Sequence, residues 1–307
     1  MDTIKHVTST SSTSSTSAKK AKKVDKSKTP TIVNTSGIRV NILSRSDNNY
    51  GIGKDAKLVE NVLREINAST NGKKVKVKSI EHIDSLGFVG GRRPSHVDIN
   101  IHLEIPCRSA MIWAKTNILV VNPEWFEKHS YDWTLEEKTK GGMDLFIFKC
   151  NYARSLFPEL SDDRVKVINW RAPNESFTLK SLREEKKSKF LFLIGGSVNK
   201  FEAAKIIVSN WNSTYPVLEV WGSTEIINQL TPLQKTSNIV WKDGYSTEEE
   251  RLKSQEECKY HIVASVAEGF GYTFAECASL GALPLWTDIP VYEETYGTLL
   301  HLSLIHI

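Results

Sequence analysis

The side chains best placed to do chemistry crowd into one stretch, Ala264-Ser265-Val266-Ala267-Glu268-Gly269-Phe270-Gly271-Tyr272-Thr273-Phe274-Ala275-Glu276. A strand-like run, Tyr260–Ser265, enters a glycine-containing loop, and a helix from about Thr273 to Leu280 leaves it. Gly281 follows the helix, where a left-handed residue commonly ends one. A glycine loop that opens a helix presents free backbone N–H groups and the positive end of the helix dipole. Together they make an anion site suited to a diphosphate. Glu268 lies on the loop and Glu276 in the first helical turns, so both carboxylates can face one crevice. There they can accept paired hydrogen bonds from vicinal hydroxyls, as a ribose or hexose offers. Either glutamate alone reads as a surface residue on an ordinary strand–helix unit; the ensemble reads as a site.

A second constellation precedes it. Phe190-Leu191-Phe192-Leu193-Ile194-Gly195-Gly196-Ser197-Val198-Asn199-Lys200 is a strand, a tight glycine turn and a lysine at a helix start. Lys200 is either a cation for the same crevice or a plain surface residue. Near the N-terminus, Gly51-Ile52-Gly53-Lys54 lacks the spacing and the trailing Ser or Thr of an ATP-binding phosphate loop, which excludes that reading. His102 and Glu104 end a predicted strand and can face a cleft, although a hydrogen-bonded core histidine is the plainer role for His102. Asp144 and Arg171 are weaker candidates. Trp113, Trp125, Trp133 and Trp170 suit packing or the stacking of a sugar ring.

The elements that must position these residues alternate. Strand-like runs fall at Arg39–Leu43, Lys74–Ile80, Val97–Leu103, Asn117–Val121, Leu145–Lys149 and Val165–Ile168. An amphipathic helix is expected over Lys57–Ile66, where Leu58, Val62 and Ile66 recur at helical spacing. A polar stretch, Asn174–Lys189, reads as a linker. Beyond it come strands at Phe190–Ile194, Val217–Trp221, Asn238–Trp241, Tyr260–Ser265 and Ala282–Trp286, a spacing that suits strand–helix–strand units. The expected class is α/β, with two Rossmann-like layer domains facing a cleft. Residues 1–36 form a Ser/Thr/Lys-rich tail, 37–178 the first domain, and 179–301 the second, which is expected to be incomplete.

Bulk properties bound the function. The 307 residues are 40% apolar and 25% charged, ordinary values for a globular chain. The formal charge of +4 sits in the first thirty residues, which hold seven lysines and two aspartates. The remainder is close to neutral and demands no nucleic-acid partner. The tail has too little apolar surface to offset its ordering entropy, so disorder is expected. Its Lys19-Lys20-Ala21-Lys22-Lys23 run reads as a solvated tail or as an import or anionic-surface signal. No run of about 18 uncharged apolar residues occurs, so no membrane span is expected. The four cysteines form no C-x-x-C pair, which fits reduced thiols in a cytoplasmic protein. Leu302–Ile307 is what CTG TCT CTT ATA CAC ATC encodes, the transposon end ligated into many sequencing libraries. Residues 302–307 are therefore expected to be a translated adapter, with the true chain continuing elsewhere.

The 264–276 stretch resembles the donor-site motif of retaining GT-B glycosyltransferases of family four (glycosyl transferases group 1) and their relatives. Those enzymes carry two glutamates separated by seven residues, with Gly-Phe-Gly after the first. The likeness continues through Cys277-Ala278-Ser279-Leu280-Gly281-Ala282 and Thr287-Asp288-Ile289-Pro290-Val291-Tyr292-Glu293-Glu294, about 35 residues in all. It implies a hexosyltransferase-like enzyme that moves a sugar from a nucleoside-diphosphate sugar to an acceptor hydroxyl with retention. It further implies no cofactor and no essential metal, and the sequence has no Asp-x-Asp motif. By resemblance Glu276 binds the ribose and Glu268 the transferred sugar. Gly269, Phe270, Gly271 and Thr273 present backbone groups, and Gly195 and Ser197 line the donor. Lys200 neutralises the leaving diphosphate. Family members often add an arginine a few residues earlier, where this chain has Ser197. Gly51 and Gly53 match a first loop that faces the cleft on the acceptor side, or a structural turn. The acceptor, whether glycan, lipid or protein, is left open. So are a non-catalytic nucleotide- or glycan-binding protein of the same fold and a sugar-nucleotide epimerase.

Overall fold

The computed structural model describes residues 37–44, 51–69, 76–84, 96–123, 142–168, 170–171, 186–195, 198–244 and 247–297. The expected tail at 1–36, the domain boundary at 178, the adapter at 302–307, and Ser197, Trp125 and Trp133 lie outside the described residues. So does the 174–185 part of the expected linker, whose last residues, 187–189, instead open a strand.

The first sheet holds β1 (Ile38–Ser44), β2 (Val77–Asp84), β3 (Val97–Glu104), β4 (Ala114–Val121), β5 (Leu145–Phe148) and β6 (Val165–Val167). Its order is β2-β1-β3-β4-β5-β6, with every pairing parallel. The second holds β7 (Lys187–Gly195), β8 (Leu218–Gly222), β9 (Ile239–Asp243), β10 (Cys258–Val263) and β11 (Leu283–Trp286). Its order is β11-β10-β7-β8-β9, again all parallel. The chain runs outward from β7 to β9 and then crosses back to β10, which makes β7/β10 a topological switch point. Ligands of open parallel sheets bind beyond the carboxyl ends of strands at such a point. Central strands of parallel sheets are covered on both faces, which is why β8 is buried along its length and β1 is buried from Val40 to Ser44.

The helices are α1 (Gly51–Ser69), α2 (Arg108–Met111), α3 (Asn151–Ser155), α4 (Val198–Asn210), α5 (Thr224–Leu230), α6 (Glu248–Glu257), α7 (Tyr272–Ser279) and α8 (Pro290–Tyr296). α1 begins at Gly51, six residues before the start that its periodicity predicts. Ile52 and Ala56 are buried there, and Gly51 lies against the Tyr272 ring. Tertiary packing thus overrides the poor helix propensity of two glycines.

One apolar cluster joins the two sheets. Val40, Ile42, Ile101 and Val120 of the first meet Phe270, Phe274, Tyr292 and Tyr296 of the second. Phe274 lies flat on Tyr296, with ring centroids 4.2 Å apart and planes 9° from parallel. Each such buried side chain stabilises by about 1.5–3 kcal/mol, which holds α7 and α8 firmly against the first sheet. Glu294 of α8 adds a polar tie. Its carboxylate accepts the N–H groups of Asn151 (2.6 Å) and Tyr152 (2.6 Å) at the start of α3.

Candidate active site

β10 ends at the switch point, and its continuation is pinned before the glycine loop begins. The Thr287 hydroxyl, just past β11, donates to the Ser265 carbonyl at 2.6 Å and accepts the Ser265 N–H at 3.1 Å. Ser265 Oγ in turn donates to the Ala267 carbonyl at 2.8 Å. Glu268 follows directly and is therefore held by the backbone around it.

α7 starts from Gly271, whose φ of 85° is left-handed. A Cβ there would also lie 2.5 Å from the Tyr292 ring, so two independent constraints demand glycine. At the other end Gly281, at φ 67°, closes the helix. Its N–H bonds the Ala278 carbonyl, and the Ala282 N–H bonds that of Cys277, the paired pattern of a Schellman cap. Gly269 is fixed by proximity rather than by φ. A Cβ on it would fall 1.4 Å from the Asn122 side-chain oxygen, just past the end of β4.

Lys200 sits in the first turn of α4, directly after β7. Its ammonium lies 3.9 Å from Glu268 Oε1 and 3.4 Å from the Thr273 hydroxyl. Lys200 and Glu268 are 14% and 18% exposed, low enough to strengthen their attraction and still leave them reachable. The sequence-predicted Glu268, Gly269, Phe270, Gly271, Thr273 and Lys200 are thus brought together. Gly195 ends β7 and pairs with Gly222.

Glu276 is engaged more fully than the sequence suggests. Its Oε2 accepts Arg251 Nη1 at 2.6 Å and Gln255 Nε2 at 3.0 Å, both from α6. Its Oε1 pairs with the Lys54 ammonium from the first turn of α1, 222 residues away in sequence. Lys54 also lies over the Tyr272 ring, 5.4 Å from its centroid. The Tyr272 hydroxyl donates to Asp55 Oδ1 at 2.5 Å and accepts from Trp170 Nε1 at 3.0 Å. Burial and the neighbouring Asp55 push that hydroxyl far above the usual phenol range, so it stays protonated. Asp55 completes a buried pair with Lys149 at 2.6 Å.

Among the acceptor-side candidates, Gly51 borders the cleft against Tyr272 and Gly53 lies in the first turn of α1, both in helix rather than in a loop. His102 does not line the cleft: it is fully buried within the first sheet. Its Nδ1 accepts the Cys107 N–H at 3.1 Å, so its Nε2 carries the proton toward Asn117 Oδ1 at 3.2 Å. Burial lowers its pKa to about 4 and keeps it neutral. Glu104, two residues on, is where the strand reaches the cleft. It has a left-handed φ of 72° and accepts Asn122 Nδ2 at 3.0 Å. Asp144 accepts the Asn117 N–H and holds a strand end. Trp113 packs on His96. All four cysteines are free and buried, and burial pushes Cys258 up to about 11.

Lys54, Asn122, Arg251 and Gln255 escaped the sequence reading. Lys54 had a signal, since it ends the Gly-Ile-Gly-Lys run, but nothing marked its partner. Among the described residues no helix is long and apolar enough to cross a membrane.

No family model matches the sequence, and no curated protein matches it. Solved structures do. One is the lipopolysaccharide outer core galactosyltransferase WaaB, at TM-score 0.52 and 12% identity, covering 82% of this chain and 81% of that one. Another is trehalose-6-phosphate from E. coli bound with UDP-2-fluoro glucose, at TM-score 0.54 and 11% identity, with coverage of 83% and 85%. A third is AviGT4, a glycosyltransferase involved in avilamycin A biosynthesis, at 0.50 and 14%, with coverage of 85% and 82%. The fold is GT-B. In this GT-B chain the glycine loop, α7 and Lys200 surround the switch point of the second sheet, and Lys54 reaches them from the first.

Proposed function

We propose that this chain transfers a sugar from a nucleoside-diphosphate sugar to an acceptor hydroxyl, with retention at the anomeric carbon. The observation that carries the reading is the Lys200 ammonium lodged between Glu268 and the first turn of α7. A diphosphate on the free N–H groups of α7 would meet that ammonium where negative charge grows as the glycosidic bond breaks. Preorganised donors aimed at developing charge are commonly the largest catalytic contribution. Glu268 would hold hydroxyls of the transferred sugar and Glu276 those of the ribose. The acceptor oxygen would bond the anomeric carbon as the bond to the diphosphate breaks, and the acceptor's hydroxyl proton would pass to the departing diphosphate oxygen. Retention rests on the likeness of residues 264–294 to the retaining family. That a GT-B neighbour is bound with UDP-2-fluoro glucose supports a nucleotide sugar as donor.

The test is a thermal-shift screen against UDP, GDP, ADP and their common sugar conjugates. A ligand at a hundred times its Kd stabilises the folded state by about 2.7 kcal/mol. The expected result is a shift with one base, abolished in Glu276→Ala. No shift with any of them would remove the donor-site reading.

A further inference from the structure

The family resemblance implies a second cation a few residues before Lys200, where the sequence has Ser197. Among the described residues, two carboxylates line the site, Glu268 and Glu276, and three cations touch them: Lys200, Arg251 and Lys54. Arg251 is committed, bonding both Glu276 and the Gln255 side chain. Lys54 differs from it. It comes from the opposite sheet, it is 29% exposed against 11% for Arg251, and it holds the Glu276 oxygen that Arg251 does not. Thr273 and Glu276 are three residues apart on α7, so they share one face with Cβ atoms about 5–6 Å apart. Lys200 on Thr273 and Lys54 on Glu276 therefore place two ammonium groups about one turn apart along the same helix edge. Tyr272, whose ring lies beneath Lys54, is the first residue of α7.

We propose that Lys54 is the second diphosphate-binding cation of this site, supplied across the cleft by the first turn of α1. The inference rests on the donor-site reading above. Without nucleotide, Lys54 occupies Glu276. A ribose hydroxyl that donates to Glu276 Oε1 takes its place, and the ammonium swings on its flexible stem to the diphosphate. Each bound donor thereby exchanges a carboxylate–lysine contact for a phosphate–lysine contact and draws α1 onto the ligand. A lysine suits this because its charge is a compact point on four rotatable carbons, whereas a guanidinium prefers one planar, fixed geometry.

The experiment is isothermal titration of wild type, Lys54→Met and Lys54→Arg with UDP, GDP and ADP and with uridine, guanosine and adenosine. Lys54→Met keeps the stem over Tyr272 and deletes the charge. For the base that binds, its diphosphate affinity should fall about tenfold or more, the range for losing a charged hydrogen bond. Its nucleoside affinity should hold or rise, because the competitor for Glu276 is gone. Lys54→Arg should recover part of the diphosphate affinity. Equal changes for nucleoside and diphosphate would make Lys54 a domain latch and overturn the proposal, leaving the donor site standing. Unaltered diphosphate binding in Lys54→Met would do the same. If wild type binds none of the six, the donor-site reading falls and this proposal with it.

Discussion

Gly269→Ala tests the closeness of the two sheets at the candidate site. The added Cβ would lie 1.4 Å from Asn122 Oδ1, and contacts under 3.0 Å are essentially never seen. The loop carrying Glu268 and the end of β4 must separate by more than an ångström and a half, or Asn122 must rotate. Rotation is costly, since Asn122 is only 8% exposed and its Nδ2 donates to Glu104 at 3.0 Å. The cost belongs in the upper half of the overpacking range, about 2–3 kcal/mol. At about 2–4 °C per kcal/mol for a chain of this size, the unfolding midpoint should drop by about 4–12 °C. Gly244→Ala serves as the control, because its φ of 64° is left-handed but nothing lies within 4 Å of its Cβ. It should lose only the left-handed penalty of about 1–2 kcal/mol. In an Asn122→Ala background the Gly269→Ala step should cost less than about 1 kcal/mol, because the obstructing amide has gone. If Gly269→Ala is as stable as wild type, or if Asn122→Ala does not relieve it, the close approach is not real.

Two further outcomes follow from buried and capping groups. His102 and His261 are buried, and burial lowers both to about 4 from an ordinary 6.5. Between those values the unfolded chain binds protons that the folded chain refuses. Stability should therefore fall as the pH drops from about 6.5 toward 4, by up to about 1.4 kcal/mol per pH unit per histidine; a midpoint constant from pH 6.5 to 5 contradicts this. Burial would raise Glu294, but the N–H groups of Tyr152 and Asn151 outweigh it and hold the carboxyl below its usual value. Its tie to α3 is thus present above about pH 4.5 and lost in more acid solution. Glu294→Ala should cost about 1 kcal/mol at neutral pH, the worth of a helix cap, and denaturant titration at pH 7 that finds no loss would refute it.

The strands were legible because parallel strands are short apolar runs between polar turns, and β1, β3 and β10 fall within two residues of where that pattern puts them. The glycine loop with Glu268 and Glu276 was legible because one continuous stretch carries its chemistry. What the sequence hid is contact at a distance. Nothing local in Lys54 points to Glu276, nor in Asn122 to Gly269, because each pair meets only when two sheets pack. α1 starts earlier than its periodicity predicts for the same reason, since Ile52 and Ala56 are buried in the cluster that joins the two sheets. His102 and Glu104 show the limit of strand alternation. It puts both on the same face of β3, while burial and a left-handed φ send one into the core and the other to the cleft edge.

The most direct measurement is release of nucleoside diphosphate from UDP-, GDP- and ADP-sugars, with Lys200→Met beside wild type. Wild type should release diphosphate slowly from donors of one base, through transfer to water or an added acceptor. Lys200→Met should bind that donor within about tenfold of wild type yet release at least about a hundredfold more slowly, the loss seen when a preorganised charge-stabilising group is removed. Tight binding of a donor with no release, in wild type as in Lys200→Met, would contradict it and leave a nucleotide-sugar-binding protein.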